Sequence, residues 1–179
     1  MKKQEKIEVI EQAINNTEIL RCYFSYDQSF YHYYYPIAVN DKLLLAVEED
    51  DFILDGYAIR KLSHLKLAEI KDDKCNEINK ALGLTDGIVD PKIDISSFES
   101  IFKSLMTLNK TVIIEDEING DLAIGKIKKV YKNRLSLLEF GSDGSWCDEE
   151  TVIPYSLITT VKWNTRYTNV WSDYLKINR

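Results

Sequence analysis

Four clusters of side chains in this sequence have types and spacings that could do chemistry, and the densest is aromatic. Tyr23, Phe24, Tyr26, Phe30, Tyr31, Tyr33, Tyr34 and Tyr35 fall within thirteen residues. Side chains alternate between the faces of a strand, so Tyr31, Tyr33 and Tyr35 share one face while Phe30, His32 and Tyr34 share the other. A row of rings facing solvent can stack on nucleobases or grip a peptide. The same row turned inward fills a core with cross-strand aromatic contacts.

The second cluster is cationic: Lys126, Lys128, Lys129, Lys132 and Arg134 span a strand and the turn after it. Such a patch can hold a phosphate backbone by releasing counterions, or it can keep a strand solvated and discourage edge pairing. Glu115, Asp116 and Glu117 on the preceding strand offset part of it. The third cluster is acidic, in the runs Glu48–Asp51 and Asp148–Glu150. Neighbouring carboxylates can hold a hard cation, but neither run has the spacing of a calcium loop, so both read as solvated turns without a metal.

The fourth is Gly141–Ser145, a glycine-rich stretch with neither the GxxxxGK[ST] nor the GxGxxG pattern of a phosphate cradle, hence a hairpin loop. Trp146 beside it stands as an exposed anchor or as a lid. The two histidines, His32 and His64, adjoin no nucleophile motif; GxSxG, HExxH and paired cysteine boxes are absent. The chain therefore reads as a non-enzymatic binding protein without a cofactor, and an enzyme of unrecognised class, its site built from residues distant in the sequence, is a further alternative. The candidate binding residues are Tyr31, Tyr33, Tyr35, the five cations Lys126, Lys128, Lys129, Lys132 and Arg134, and Trp146.

The chain that must position these clusters has 179 residues, 45% apolar and 29% charged. That length holds one large domain or two small ones, with enough apolar content for a core. The longest apolar runs, Leu43–Val47 and Thr111–Ile114, fall far short of the about 20 residues a spanning helix needs. The opening MKKQEKIEVIEQ has no apolar signal segment. Cys22, Cys75 and Cys147 are odd in number and far apart, which reads as reduced thiols in the cytoplasm. Eighteen lysines against five arginines, with 21 isoleucines and 11 asparagines, suggest an AT-rich bacterial genome. The net charge of −6 resides in residues 1–90, while 91–179 are balanced. That distribution weighs against bulk binding of nucleic acid and leaves room for a local basic patch.

The two halves follow one plan, which predicts an internal duplication. Ile7, Ile10 and Ile14 form a helical stripe in residues 5–16; Phe98, Ile101, Phe102 and Leu105 do so in 97–108, behind a capping box of Ser96 and Glu99. Strands follow at 19–26 and 111–117, then turns at Asp27-Gln28 and Asn119-Gly120. Second strands at 30–39 and 122–131 lead through polar turns to leucine-rich third strands. The halves then differ by a seven-residue insertion around 140–150. Asp72–Leu82 reads as a short helix stopped by Gly83, and Trp171–Ile177 as its counterpart.

One helix followed by five short strands is the plan of a small barrel. The second half resembles an Sm-like or SH3-like barrel through Gly125-Lys126-Ile127, Asn133–Leu137 and Ile153–Ile158. In the first half, Leu54–Ile59 resembles the glycine-bearing turn between the last two strands of an Sm barrel, although Tyr33 stands where a strand-two glycine would. The resemblance implies a mainly β protein with short helices, built from tandem five-stranded barrels each preceded by a helix. Its expected extents are residues 1–84 and 97–179, joined by a linker at 85–96. It also implies RNA as a partner alternative to protein, and association of copies through barrel edge strands.

Overall fold

The structure, a computed structural model, describes residues 1–177, with side chains for all but 27–29 and 177. It divides into two compact units, Met1–Pro91 and Lys92–Arg179. In the first, the isoleucine stripe becomes the apolar side of α1 (Lys3–Asn16). The Glu5 carboxylate accepts from the Lys2 N–H at 2.9 Å, and Thr17 ends the helix in the left-handed region at φ 52°. Ile10 and Ala13 are fully buried against Leu20, Phe24, Tyr34, Leu44 and Leu65.

Five antiparallel strands follow: β1 (Leu20–Phe24), β2 (Asp27–Val39), β3 (Leu43–Asp50), β4 (Ile53–Lys61) and β5 (Leu65–Ile70). They hydrogen-bond in the order β5-β1-β2-β3-β4. The first turn is Ser25-Tyr26, two residues before the expected one, and Asp27 already opens β2. Pro36, with no N–H to give, falls where the β2–β3 register shifts. The helix α2 (Cys75–Ala81) is followed by Gly83 at φ 68°, a left-handed stop that glycine adopts without strain. A 3-10 turn at Leu84–Gly87 comes next.

In the second unit, α3 (Phe98–Thr107) is capped by Ser97, whose hydroxyl accepts from Ser100 N at 3.1 Å; the cap is one residue later than expected. β6 (Thr111–Asp116), β7 (Asp121–Val130), β8 (Arg134–Phe140), β9 (Trp146–Pro154) and β10 (Thr160–Trp163) are ordered β10-β6-β7-β8-β9. Thr165 accepts from Thr168 N at 3.1 Å and so starts α4 (Arg166–Ile177) five residues ahead of the expected Trp171.

The element order of the first unit thus recurs in the second, and so do two of its irregularities, although the register shifts of β1 at Cys22–Phe24 have no counterpart in β6. Register shifts fall at Pro36/Ala38 and Ile127/Lys129 in the second strands. They recur at Val47/Glu49 and Leu138/Phe140 in the third.

The expectation of two closed five-stranded Sm/SH3-like barrels is wrong. The described residues are mostly β, with ten antiparallel strands in open order and four α-helices. Among the described residues no ladder joins β4 to β5 or β9 to β10. In the first unit the physical reason is visible at β2. Tyr34 is buried on one face with α1, while Tyr35 is buried on the other with Ile19, Val47 and the α2 residue Cys75. A sheet covered on both faces buries its apolar side chains in layers and has no interior that closure must enclose. Among the described residues no helix is long and apolar enough to cross a membrane.

Candidate protein-docking site

β9 reads Trp-Cys-Asp-Glu-Glu-Thr-Val-Ile-Pro, and neither alternate set of its side chains is apolar throughout. A strand without an apolar face gains little from burial and belongs at an edge. Its only ladder among the described residues is with β8, from Arg134↔Pro154 to Phe140↔Trp146. Every residue from Cys147 to Val152 is exposed, so both faces meet water. The outer side of β9 presents backbone N–H and C=O groups to which a further strand can bond.

A cleft of about 290 Å³ adjoins its C-terminal half. Leu122, Val152 and Leu157 form apolar wall there while remaining 58%, 55% and 46% exposed. Glu115, Asp116, Asp121 and Glu139 supply its charged lining, with no lysine or arginine among the described lining residues. Glu115 lies 3.6 Å from Lys162. Asp116 accepts from the Ile118 and Asn119 N–H groups, each at 3.2 Å, and so holds the β6–β7 turn. Glu139 accepts from Thr151, and Glu150 from the Ser136 hydroxyl at 2.6 Å, which brace β9 on β8. Asp121, Asp148 and Glu149 stand in solvent.

The expected acidic turns are corrected by this arrangement. Asp148–Glu150 lie within β9, and Glu48–Asp50 complete β3. Only Asp51 and Phe52 turn the β3–β4 hairpin, at φ 45° and 69°, with Glu49 accepting from Phe52 N at 2.8 Å. Among the described residues no group of three or more His, Cys, Asp or Glu side chains is placed to hold a metal ion. The glycine-rich segment is a tight loop: Asp143 accepts from the Ser145 N–H and hydroxyl at 3.0 and 2.8 Å, bonds that hold its carboxyl below the ordinary value.

The structure divides the aromatic row. Tyr31 is half exposed, Tyr33 half-buried and Tyr35 buried, with Asn79 Nδ2 donating to its hydroxyl at 2.9 Å. Tyr35 is a core residue, because β2 is covered on both faces. The rings of Tyr31 and Tyr33 already hold cations that spacing did not reveal: Arg21 at 5.2 and 5.7 Å, and Lys71 at 4.0 Å from Tyr33. Burial works against the Lys71 charge, but Cys75 Sγ at 3.0 Å, Tyr33 and Asp73 raise its pKa overall.

The basic cluster is also divided. Lys126 donates to the Asn109 carbonyl after α3. Lys128 and Lys129 are exposed at the β7 irregularity, Lys132 is exposed on the next turn, and Arg134 stacks on Tyr131 at 4.8 Å. Trp146 is half-buried, edge-on to Phe140, whose ring is 5.0 Å from Trp171. Leu122, Asp121, Glu139 and Leu157, which shape the cleft, had no signal in the sequence beyond the unpatterned strand beside them.

The three thiols differ in a way that can be measured. Cys147 is exposed on β9, Cys75 is intermediate and Cys22 is buried. Burial pushes the Cys22 pKa up to about 12, with the Arg60 charge pulling it partly back. In a thiol-exchange assay at pH 8, Cys147 is expected to react first and Cys22 only after denaturant is added. Labelling of Cys22 at the Cys147 rate in native protein would contradict this burial.

Compared with family models, curated proteins and solved structures, the chain matches none.

Proposed function

We propose that this protein is a non-enzymatic binding protein that takes up an extended segment of a protein partner along β9. The observation that supports the reading is the edge itself: nine residues long, solvated on both faces through its centre, and beside a cleft with an apolar wall. Added strands gain affinity from main-chain hydrogen bonds and selectivity from pockets for alternate side chains, and β9 with its cleft has the parts for both. The division of the β7 cations weighs against RNA as the ligand. Three free cysteines fit a reducing cytoplasmic compartment.

The test is selection of ten-residue peptides from a randomised display library on the immobilised full chain, followed by amide exchange of the complex. Enriched peptides rich in strand formers, with protection concentrated in residues 146–154, are the expected result. Failure to enrich any peptide, or protection elsewhere, would sink the reading. A labelled single-stranded RNA pool is expected to show no micromolar, salt-sensitive binding.

A further inference from the structure

We infer that the segment taken up by β9 is cationic, with basic side chains alternating with apolar ones; this rests on the reading of β9 as a docking edge. The argument is charge complementarity at one place. Asp148, Glu149 and Glu150 occupy consecutive positions near the middle of β9, so acidic side chains project from both of its faces. The adjoining cleft adds Asp121 and Glu139 beside Leu122, Val152 and Leu157. A strand laid along this edge has side chains opposite the acids and, further on, side chains over the apolar wall. Opposite charges on neighbouring strands stabilise the pair and like charges oppose it. An acidic segment is thereby rejected at the same positions that hold a basic one.

A second copy of this chain is the occupant that the edge discourages. Pairing β9 with β9 brings two Asp148-Glu149-Glu150 triplets together near the centre of the new ladder, a concentration of carboxylates with no cation between them. The acids therefore guard the edge against self-association while leaving it open to a partner of opposite charge.

The test uses the full chain and three nine-residue amides, alternating lysine with valine, serine with valine, and glutamate with valine. Binding is measured by fluorescence anisotropy at low and high salt, with amide exchange on each mixture. The lysine peptide is expected to bind at least about tenfold more tightly than the glutamate peptide at low salt. The ratio should shrink at high salt as screening sets in. In the double variant Asp148→Lys, Glu149→Lys the preference is expected to reverse, and a circular dichroism melt checks that the variant folds.

The outcomes separate the two claims. Protection of residues 146–154 by all three peptides, with no preference for lysine, overturns the charge inference and leaves the docking edge standing. Protection by none overturns both. Concentration-dependent dimerisation of the peptide-free chain that protects β9 makes a second copy the occupant and overturns the cationic partner.

Discussion

Gly125→Ala is expected to destabilise the second unit by about 3 kcal/mol or more. A Cβ built at Gly125 lies 2.1 Å from the Leu138 carbonyl oxygen, 2.7 Å from its carbon and 2.9 Å from the Glu139 Cα. All three are backbone atoms of β8, opposite Gly125 in register with Glu139. No side chain can rotate away, so β7 and β8 must part and lose ladder hydrogen bonds around Leu137 and Leu138. Gly120→Ala is the control. Its Cβ meets nothing within 4 Å, but its φ of 77° strains an L-residue, a cost of about 1 kcal/mol. Urea unfolding of both variants checks the argument. Equal shifts in the midpoint would show that strand approach does not govern Gly125.

Phe102→Ala is expected to remove about 3–5 kcal/mol, the range for truncating a buried phenylalanine. Phe102 is fully buried, with ring centroids 6.0 Å from Phe98 and 5.5 Å from Tyr155. The Tyr155 hydroxyl donates to the Tyr131 carbonyl at 2.7 Å. Its burial, helped by the Glu99 charge, pushes the phenol pKa up to about 12. Opening the stack lets water reach Tyr155, so its titration, followed by ultraviolet absorbance, should move back toward about 10.

The sign for stability follows from the proton count. Above pH about 10 the unfolded chain releases the phenol proton while the folded chain keeps it. The stabilising contribution is whole below that pH and is lost as pH rises toward about 12. Cys22 behaves alike, with a pKa also near 12. Tyr155→Phe should therefore flatten only part of the alkaline fall in melting temperature. An unchanged alkaline profile in Tyr155→Phe would place the phenol in water.

The local elements were legible because they follow from short-range chemistry. Ile7, Ile10 and Ile14 marked α1, Phe98 to Leu105 marked α3, and Gly83 marked the end of α2. The leucine-rich third strands also appear where expected. Boundaries slipped where a neighbouring residue competed for the same role, as Ser97 did for Ser96. The acidic run 148–150 was misread as a turn because a solvated edge strand lacks the alternation that reveals a half-buried one.

The sequence by itself determined the repeated order of helix, five strands and helix, because hydrophobic period and turn residues are local properties. Tertiary structure alone decided that the strands of the first unit stay open, since closure there depends on what covers each face of β2. It also decided which members of the aromatic row meet solvent. Tyr31 and Tyr35 share a parity on the strand, yet one is half exposed and the other buried. Tyr35 is covered by α2, forty residues further along the chain, and the period of a strand carries no information about so distant an element.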